Sequence, residues 1–466
     1  ALGIYITQAK RHPTVKDGIR NAFNDLLSQG FMKPLSEMPQ KITKLVENSP
    51  VNHFYPWRAV QKPGSLSTPF RIVVDPSKSG LNMILAKGTG GVAKLVPILT
   101  RSRCQKFTWT ADISKLYNQL WLEDDDYPFS LMLYHASLDP NVKPEPYLML
   151  RAWYGVVSTG GQAHCTLKRL GEENAVKFPL GSKVLLDSSY VDDLLPGSNC
   201  KVEAEAQVKE TQTLLALGGF KLKFVCHSND KPPDAASSDA ETLSILGYTW
   251  NSKEDTLTLG VSDLNFHKKM GGAKPENPFT VSDADSAARI IDLQEKITRR
   301  MCLSKSAEIY DPLGIWEPLK AKFKRDLSRL NGLEWDENIP TCEESTWRSN
   351  FMLFPLLKQM KVHRAVTPQD IIDPNTCRLI IASDASLTTA GACVYIGYKT
   401  GDNNWSNSLL QARSQICKFS IPRNELTAIF LAAELCYAVC HSLQPLNLTF
   451  TDILFLTDSP VALSCG

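Results

Sequence analysis

The chain has no CxxC pair and no Cys/His cluster at zinc-ligand spacing, although it carries 12 cysteines. Scattered over 466 residues, they read as reduced, mostly buried thiols, which excludes a disulfide framework and a structural zinc module. Charge is nearly balanced, at a formal +2, so any nucleic-acid surface has to be a local patch. No secretory leader is visible, and no apolar run approaches the roughly 18 residues of a membrane span, so no membrane partner is expected. No internal repeat or low-complexity tract stands out. There is no initiator Met: the chain starts Ala1-Leu2-Gly3 and stops at Ser464-Cys465-Gly466, which reads as a piece of a larger polyprotein or a truncated copy.

What is present suits a soluble globular chain, with 43% hydrophobic and 21% charged residues and a length that suggests roughly three domains. Val15, Ile19, Ala22, Phe23, Leu26 and Leu27 have the spacing of an amphipathic helix over 14–30, with Thr14 and Asp17 as a capping box and Gly30 as the stop. Short strands follow, clearest at 70–74 and 107–110. Helical pattern returns after Asp112 and over 161–177, and residues 285–302 read as one helix. Gly271-Gly272 and Pro275-Glu276-Asn277-Pro278 mark a loop and boundary. Between 296 and 329, nine Lys/Arg stand against four acids, a local patch suited to a phosphate backbone.

Tyr190-Val191-Asp192-Asp193 lies between an apolar run at 183–186 and Leu194-Leu195, which predicts strand, tight turn and strand with two acids at the tip. Adjacent acids repel, and a site that keeps both ionised favours a divalent cation. Asp112 at the end of the 107–111 strand supplies a third carboxylate on a rigid element. Asp112-Ile113-Ser114-Lys115-Leu116-Tyr117 followed by Tyr190-Val191-Asp192-Asp193 resembles motifs A and C of reverse transcriptases. The resemblance implies that Asp112 and Asp192, with the carbonyl of Ile113, ligate two Mg²⁺ ions, Mn²⁺ being a substitute, and that Asp193 is the supporting acid. It puts Tyr117 at the gate that excludes a ribose 2′-hydroxyl. Phe70-Arg71-Ile72-Val73-Val74-Asp75 resembles the fingers strand whose Arg forks onto the incoming triphosphate, with Lys62 as a second phosphate contact. Tyr154-Gly155-Val156-Val157-Ser158-Thr159-Gly160 resembles motif B, with Gly155 allowing close backbone approach. It departs from the usual Ser-Pro ending. Gly218-Gly219-Phe220-Lys221-Leu222-Lys223 resembles motif D, whose lysine is Lys221 or Lys223, and Leu246-Gly247-Tyr248-Thr249-Trp250 resembles the primer-gripping hairpin.

Two further stretches narrow the lineage. Tyr310-Asp311-Pro312-Leu313-Gly314-Ile315 and Ile421-Pro422-Arg423-Asn424-Glu425-Leu426 resemble signatures of Bel/Pao-type retrotransposon polyproteins. An apolar strand ending at Asp384, a helix opening at Glu425 and a strand ending at Asp458 follow the strand–helix–strand order of ribonuclease H. There the acids hold two Mg²⁺ ions against an RNA phosphodiester. That family supplies a fourth Asp further on, which this sequence does not reach, so ribonuclease activity is left open.

Together these readings imply an α+β multidomain chain: a right-hand polymerase followed by an incomplete ribonuclease H-like α/β domain. Fingers and palm are expected over 1–260, a basic thumb/connection-like segment over 261–370, and the ribonuclease H-like part over 371–466. The expected activity is RNA-directed DNA polymerisation. Expected partners are an RNA or DNA template-primer, deoxynucleoside triphosphates and other parts of a polyprotein, in the cytoplasm, inside virus-like particles or with access to the nucleus. Two alternatives stay open: a catalytically silent relic that binds nucleic acid, and an RNA–DNA hybrid nuclease.

Overall fold

The structure is a computed structural model that describes residues 13–61, 70–88, 94–139, 141–233, 241–261, 264, 266, 284–292 and 294–460. The chain folds as two units. Unit 1 comprises Ala1–Ala93, Ala111–Leu194 and Gln207–Phe224; unit 2 comprises Lys94–Thr110, Leu195–Ala206 and Val225–Gly466. The loop predicted at 271–278 lies outside the described residues.

In unit 1 the helix Pro13–Ser28 buries Ile19 and Phe23 completely, as its apolar spacing predicts. It begins at Pro13, so Thr14 lies inside it rather than at a cap; proline suits a first position because that N–H would be unpaired anyway. Gly30 takes φ +68° and lets the Phe31 N–H donate to the Leu26 carbonyl at 3.0 Å, closing the helix as expected. The Phe23 ring stacks on Tyr134 at 3.7 Å and meets Trp57 edge-on at 4.9 Å. Phe70–Val74 pairs antiparallel with Trp57–Gln61, Val60 opposite Arg71. Ile72 and Val74 face the core while Arg71 is exposed, the alternation of a strand buried on one side.

The run at 183–186 is not a strand. It belongs to the helix Pro179–Asp187, which buries Val184 and Leu185. A short apolar run does not distinguish strand from buried helix, and Pro179 at the first turn decides it. Nor does a regular helix open after Asp112. The strand extends over Phe107–Ile113 and a short 3-10 turn, Leu116–Gln119, follows.

In unit 2 the strands Leu243–Ile245 and Tyr248–Asn251 form a hairpin. Leu246 and Gly247 at its turn take φ +45° and +99°, the two positive values of a type I′ connection. The single helix expected over 285–302 is two, Ala284–Asp292 and Arg299–Glu308. Thr298 separates them by capping the second, its hydroxyl accepting from the Met301 N–H. A four-stranded mixed sheet follows, in the order Trp405–Ile416, Thr389–Lys399, Thr376–Ala385, Thr449–Leu456. The last pair is parallel and the others antiparallel. A parallel neighbour needs a crossover, and the helix Ile421–Leu443 provides it. That helix buries Leu431, Leu435 and Val439 against Leu379, Ile381, Val394 and Ile396. It is long and apolar enough to cross a membrane, contrary to the sequence reading, and 44% of its most apolar window is buried. The strand Trp405–Ile416 was not anticipated, because its Ser, Asn, Gln and Arg residues hide the alternation.

The Asp-Pro-Leu-Gly stretch is a clasp within unit 2. The Asp311 carboxylate accepts from the Tyr248 hydroxyl at 2.6 Å and from the backbone N–H groups of Gly314, Ile315 and Trp316 at 2.8–3.2 Å. The Ala412 N–H donates to the Leu313 carbonyl at 2.9 Å. Gly314, at φ +72°, lies so close to the Ala412 carbonyl that a Cβ would overlap it.

The basic segment is largely satisfied by its own acids. Arg300 pairs with Asp336, Lys305 with Glu308, and Lys320 and Lys324 with Glu317. Lys322 and Arg325 pair with the fully buried Asp326, and Arg329 lies near Asp326 and Glu343.

Two guanidinium groups tie unit 2 together. Arg364, 1% exposed in its side chain, makes a two-pronged pair with Asp255 at 2.6 and 2.7 Å. It also donates to the carbonyls of Ser102, Gln105 and Lys106. Arg103 donates to the carbonyls of Arg364, Leu409 and Leu410 at 2.8–3.1 Å, and burial lowers its pKa to about 10. Arg364→Ala is expected to cost about 3–5 kcal/mol, because Asp255 and three carbonyls lose their donors. Urea unfolding followed by circular dichroism measures this, and a loss below about 1 kcal/mol contradicts it.

Candidate functional site

Asp112 is the penultimate residue of the strand Phe107–Ile113, directly opposite Asp193 in antiparallel register. Opposed residues of such a pair direct their side chains to one face. The hairpin that presents Asp193 is short: Ser189–Tyr190 pairs with Asp193–Leu194, and Val191-Asp192 forms the turn. Val191 sits at φ +56°, an unfavourable value for a β-branched residue. The Ile113 N–H donates to the Asp192 carbonyl at 2.8 Å, so the turn is fastened to the end of the strand that carries Asp112.

Backbone pairing thus crowds three acids. Burial first, then the charges of Asp192 and Asp112, push the Asp193 carboxyl up from 3.8 to about 7. Asp193, expected only as the supporting acid, is the member in register with Asp112.

Tyr117 follows Lys115, which takes φ +49°, and its ring centre lies 4.7 Å from that of Tyr154. Burial and then the Asp192 charge raise both phenols, Tyr154 to about 12. The Arg71 guanidinium pulls Tyr154 the other way, so the exposed Arg71 faces the same group. Gly155 takes φ +96°, and a Cβ there would come within 3.0 Å of the Val74 carbonyl, as close approach requires. The carbonyl of Lys221 accepts from the Ser114 N–H at 2.8 Å, beside the Asp112 strand, while its side chain and that of Lys223 are exposed. Lys62 lies outside the described residues.

Sequence reasoning missed two members of this site. Tyr154 stands beside the expected glycine, and an aromatic next to a close-approach glycine is the signal that marks it. Asn82 donates to the Gly155 carbonyl at 2.9 Å and accepts from the Val157 N–H at 3.0 Å, bracing the loop. A lone Asn carries no such signal.

In unit 2, Asp384, Glu425 and Asp458 come together: one carboxylate oxygen from each lies within 4.8 Å of the others. Among the described residues this is the only such set of three acidic or metal-ligating side chains. Asp384 is the penultimate residue of the strand Thr376–Ala385. Asp458 comes two residues after the strand Thr449–Leu456 that runs parallel to it, rather than at its end. Glu425 is the fifth residue of the helix Ile421–Leu443, not the one that opens it. Its Oε2 is buried without a hydrogen-bond partner. Burial, then Asp384 and Asp458, raise its pKa. An orphaned carboxylate oxygen facing two like charges is a donor set suited to a hard divalent cation.

Residues 298–459 match the family described as Pao retrotransposon-like RNaseH-like domain. No curated protein matches the chain. Among solved structures, the chain resembles the foamy viral protease-reverse transcriptase in complex with RNA/DNA hybrid, with a TM-score of 0.54 at 13% identity, over 97% of this chain and 49% of that one. It resembles the same protein in complex with double-stranded DNA, with a TM-score of 0.53 at 14% identity, over 97% and 76%. The dRH form with double-stranded DNA gives 0.53 at 14% identity, and the chain spans 64% of its length. The fold is therefore mixed α/β and resembles a retroviral reverse transcriptase with a C-terminal ribonuclease H-like domain.

The Asp193 shift predicts a pH dependence. Its folded pKa exceeds its ordinary value, so its stabilising contribution is complete below about 3.8 and is lost as pH rises through about 7. Asp193→Asn removes the forced ionisation. In metal-free buffer its stability advantage over the native protein should grow between pH 4 and pH 8 by roughly 1–3 kcal/mol. Denaturation at the two pH values checks it, and an advantage that does not change with pH counts against the crowded-acid picture.

Proposed function

We propose that this chain is the RNA-directed DNA polymerase part of a Bel/Pao-like retroelement polyprotein, with a linked ribonuclease H-like domain. Fingers and palm would occupy residues up to about 260, a thumb/connection segment 261–370, and the ribonuclease H-like part 371–466. The observation that carries the reading is the register of Asp112 with Asp193, with Asp192 in the turn fastened to Ile113. The foamy viral structures of similar fold are protease-reverse transcriptases held with RNA/DNA hybrid or double-stranded DNA, which supports template-primer as the partner here.

Asp112 and Asp192, with the Ile113 carbonyl, would hold Mg²⁺ or Mn²⁺. Such ions supply activation of the primer 3′-hydroxyl and stabilisation of the leaving pyrophosphate. Arg71 would fork onto the triphosphate, with Lys62 as a second contact and Lys221 as the group near pyrophosphate. Tyr117, buttressed by Tyr154, would lie beneath the sugar and reject a 2′-hydroxyl. Gly155 would lie at the nucleotide by the same resemblance; the space a Cβ would take there is filled by the Val74 carbonyl and Pro76, which supports a requirement for glycine.

A second reading, a nuclease acting on RNA–DNA hybrid, is favoured by the convergence of Asp384, Glu425 and Asp458. The two readings separate by mutation. Asp112→Asn and Asp192→Asn should each lower primer extension on an RNA template by on the order of 10³-fold. Glu425→Gln should leave extension intact and remove hybrid cleavage. Near-native extension by Asp192→Asn would sink the metal assignment, and no extension by the native chain would leave the hybrid nuclease or the silent binder. Tyr117→Val should admit ribonucleotides, read as a fall in deoxynucleotide preference of roughly 10–100-fold; unchanged preference removes the gate.

A further inference from the structure

The helix that carries Glu425 and the turn that follows Asp384 are joined by one side chain. Asn424 is fully buried, and its Nδ2 donates to the carbonyls of Ser386 at 2.9 Å and Leu387 at 3.2 Å. Both partners are acceptors, so only the NH₂ end of the amide can face them. The Oδ1 is left buried without a partner. An apolar residue would avoid that unfavourable arrangement, so the donor pair is what the position supplies. Asn424 is not a helix cap: its own N–H donates to the Ser420 carbonyl inside the helix.

The turn it holds is otherwise fixed by local bonds and by one bond from Cys417. Ser386, Leu387 and Thr388 are exposed, Leu387 at 68%. Local bonds shape the turn, the Ser386 hydroxyl accepting from the Thr389 N–H at 3.1 Å and the Thr388 N–H at 3.3 Å. The Cys417 N–H, on the approach to the helix, donates to the Thr388 carbonyl at 2.8 Å. Asp384 stands two residues before this turn and Glu425 one residue after Asn424. Like charges on Asp384, Glu425 and Asp458 push apart whatever the backbone does not restrain.

We propose that Asn424 is a positioning residue of the Asp384–Glu425–Asp458 site, its amide setting the separation of the Glu425 helix from the Asp384 turn. The inference rests on the reading that these carboxylates take a divalent cation. Supporting partners of ligands typically change metal affinity by 10–100-fold.

The test is a titration of the whole chain with Mn²⁺ alone, by calorimetry or by the loss of free-ion paramagnetic resonance signal. Glu425→Gln identifies the binding that belongs to this site. Asn424→Ala should weaken that binding about ten-fold at a temperature where circular dichroism shows it folded. Ser386→Ala, at an exposed position, loosens the same turn from the other side and should weaken it in the same direction. Affinity within two-fold of native in Asn424→Ala overturns the inference and leaves the site intact. Should that variant not fold, unchanged affinity in Asn424→Leu, which keeps the side-chain volume without the donors, overturns it. If Glu425→Gln binds Mn²⁺ as the native chain does, the cation reading of the site fails and the inference goes with it.

Discussion

Unit 2 depends on the buried guanidinium of Arg364. One side chain satisfies the Asp255 carboxylate and three carbonyls of residues 102–106, positions far apart in sequence. Lysine could not replace it, because the arrangement needs a planar fork and donors in fixed directions. Arg103 extends the network by donating to the carbonyl of Arg364 itself and to two carbonyls of the strand Trp405–Ile416. Two cations are thereby held side by side, Arg364 on the Asp255 carboxylate and Arg103 within reach of the Asp311 charge. Burial lowers the Arg103 pKa to about 10, which still leaves the group charged at neutral pH.

The two acidic centres meet one constraint in different ways. Carboxylates repel, so each must be carried by backbone that cannot retreat. In unit 1 the acids come from adjacent strands and a turn with a strained Val191, and the crowding appears as an Asp193 pKa near 7. In unit 2 they come from two parallel strands and the helix between them, and the crowding appears at Glu425. The cations of 296–329 do not bear on this balance, since most are neutralised by neighbouring acids in the same unit.

Long, regular elements were legible in the sequence. The strands at 376–385 and 389–399 carry apolar runs, at 379–382 and 392–396, and the Pro13–Ser28 helix keeps its stripe. The order of Asp384, Glu425 and Asp458 therefore maps onto strand, helix and strand. Short elements were less legible, because tertiary packing decides them: 183–186 became helix, and Asp112 stayed in its strand by pairing with Asp193, a partner no local pattern reveals. The strand Trp405–Ile416 was invisible because its partners, not its composition, make it a strand. Asn82 and Asn424 act through bonds to backbone atoms distant in sequence, and Tyr154 through its ring against Tyr117, and composition is silent about those.

The three acids of unit 2 are carried by different elements. The Asp384 strand is paired on both sides, and Glu425 rides on a helix packed against the sheet. Asp458 follows the edge strand Thr449–Leu456, whose Ile453, Leu454, Phe455 and Leu456 are all exposed. That strand is held chiefly by main-chain pairing with Thr376–Ala385, which runs from Thr376↔Thr449 to Ala382↔Leu456. Loss of that pairing would carry Asp458 away from Asp384 and Glu425. A cation bound by all three carboxylates would bind only the closed form, so its affinity and the order of this strand must be linked. Cation binding there would stabilise that pairing as well as offset the repulsion of the three charges.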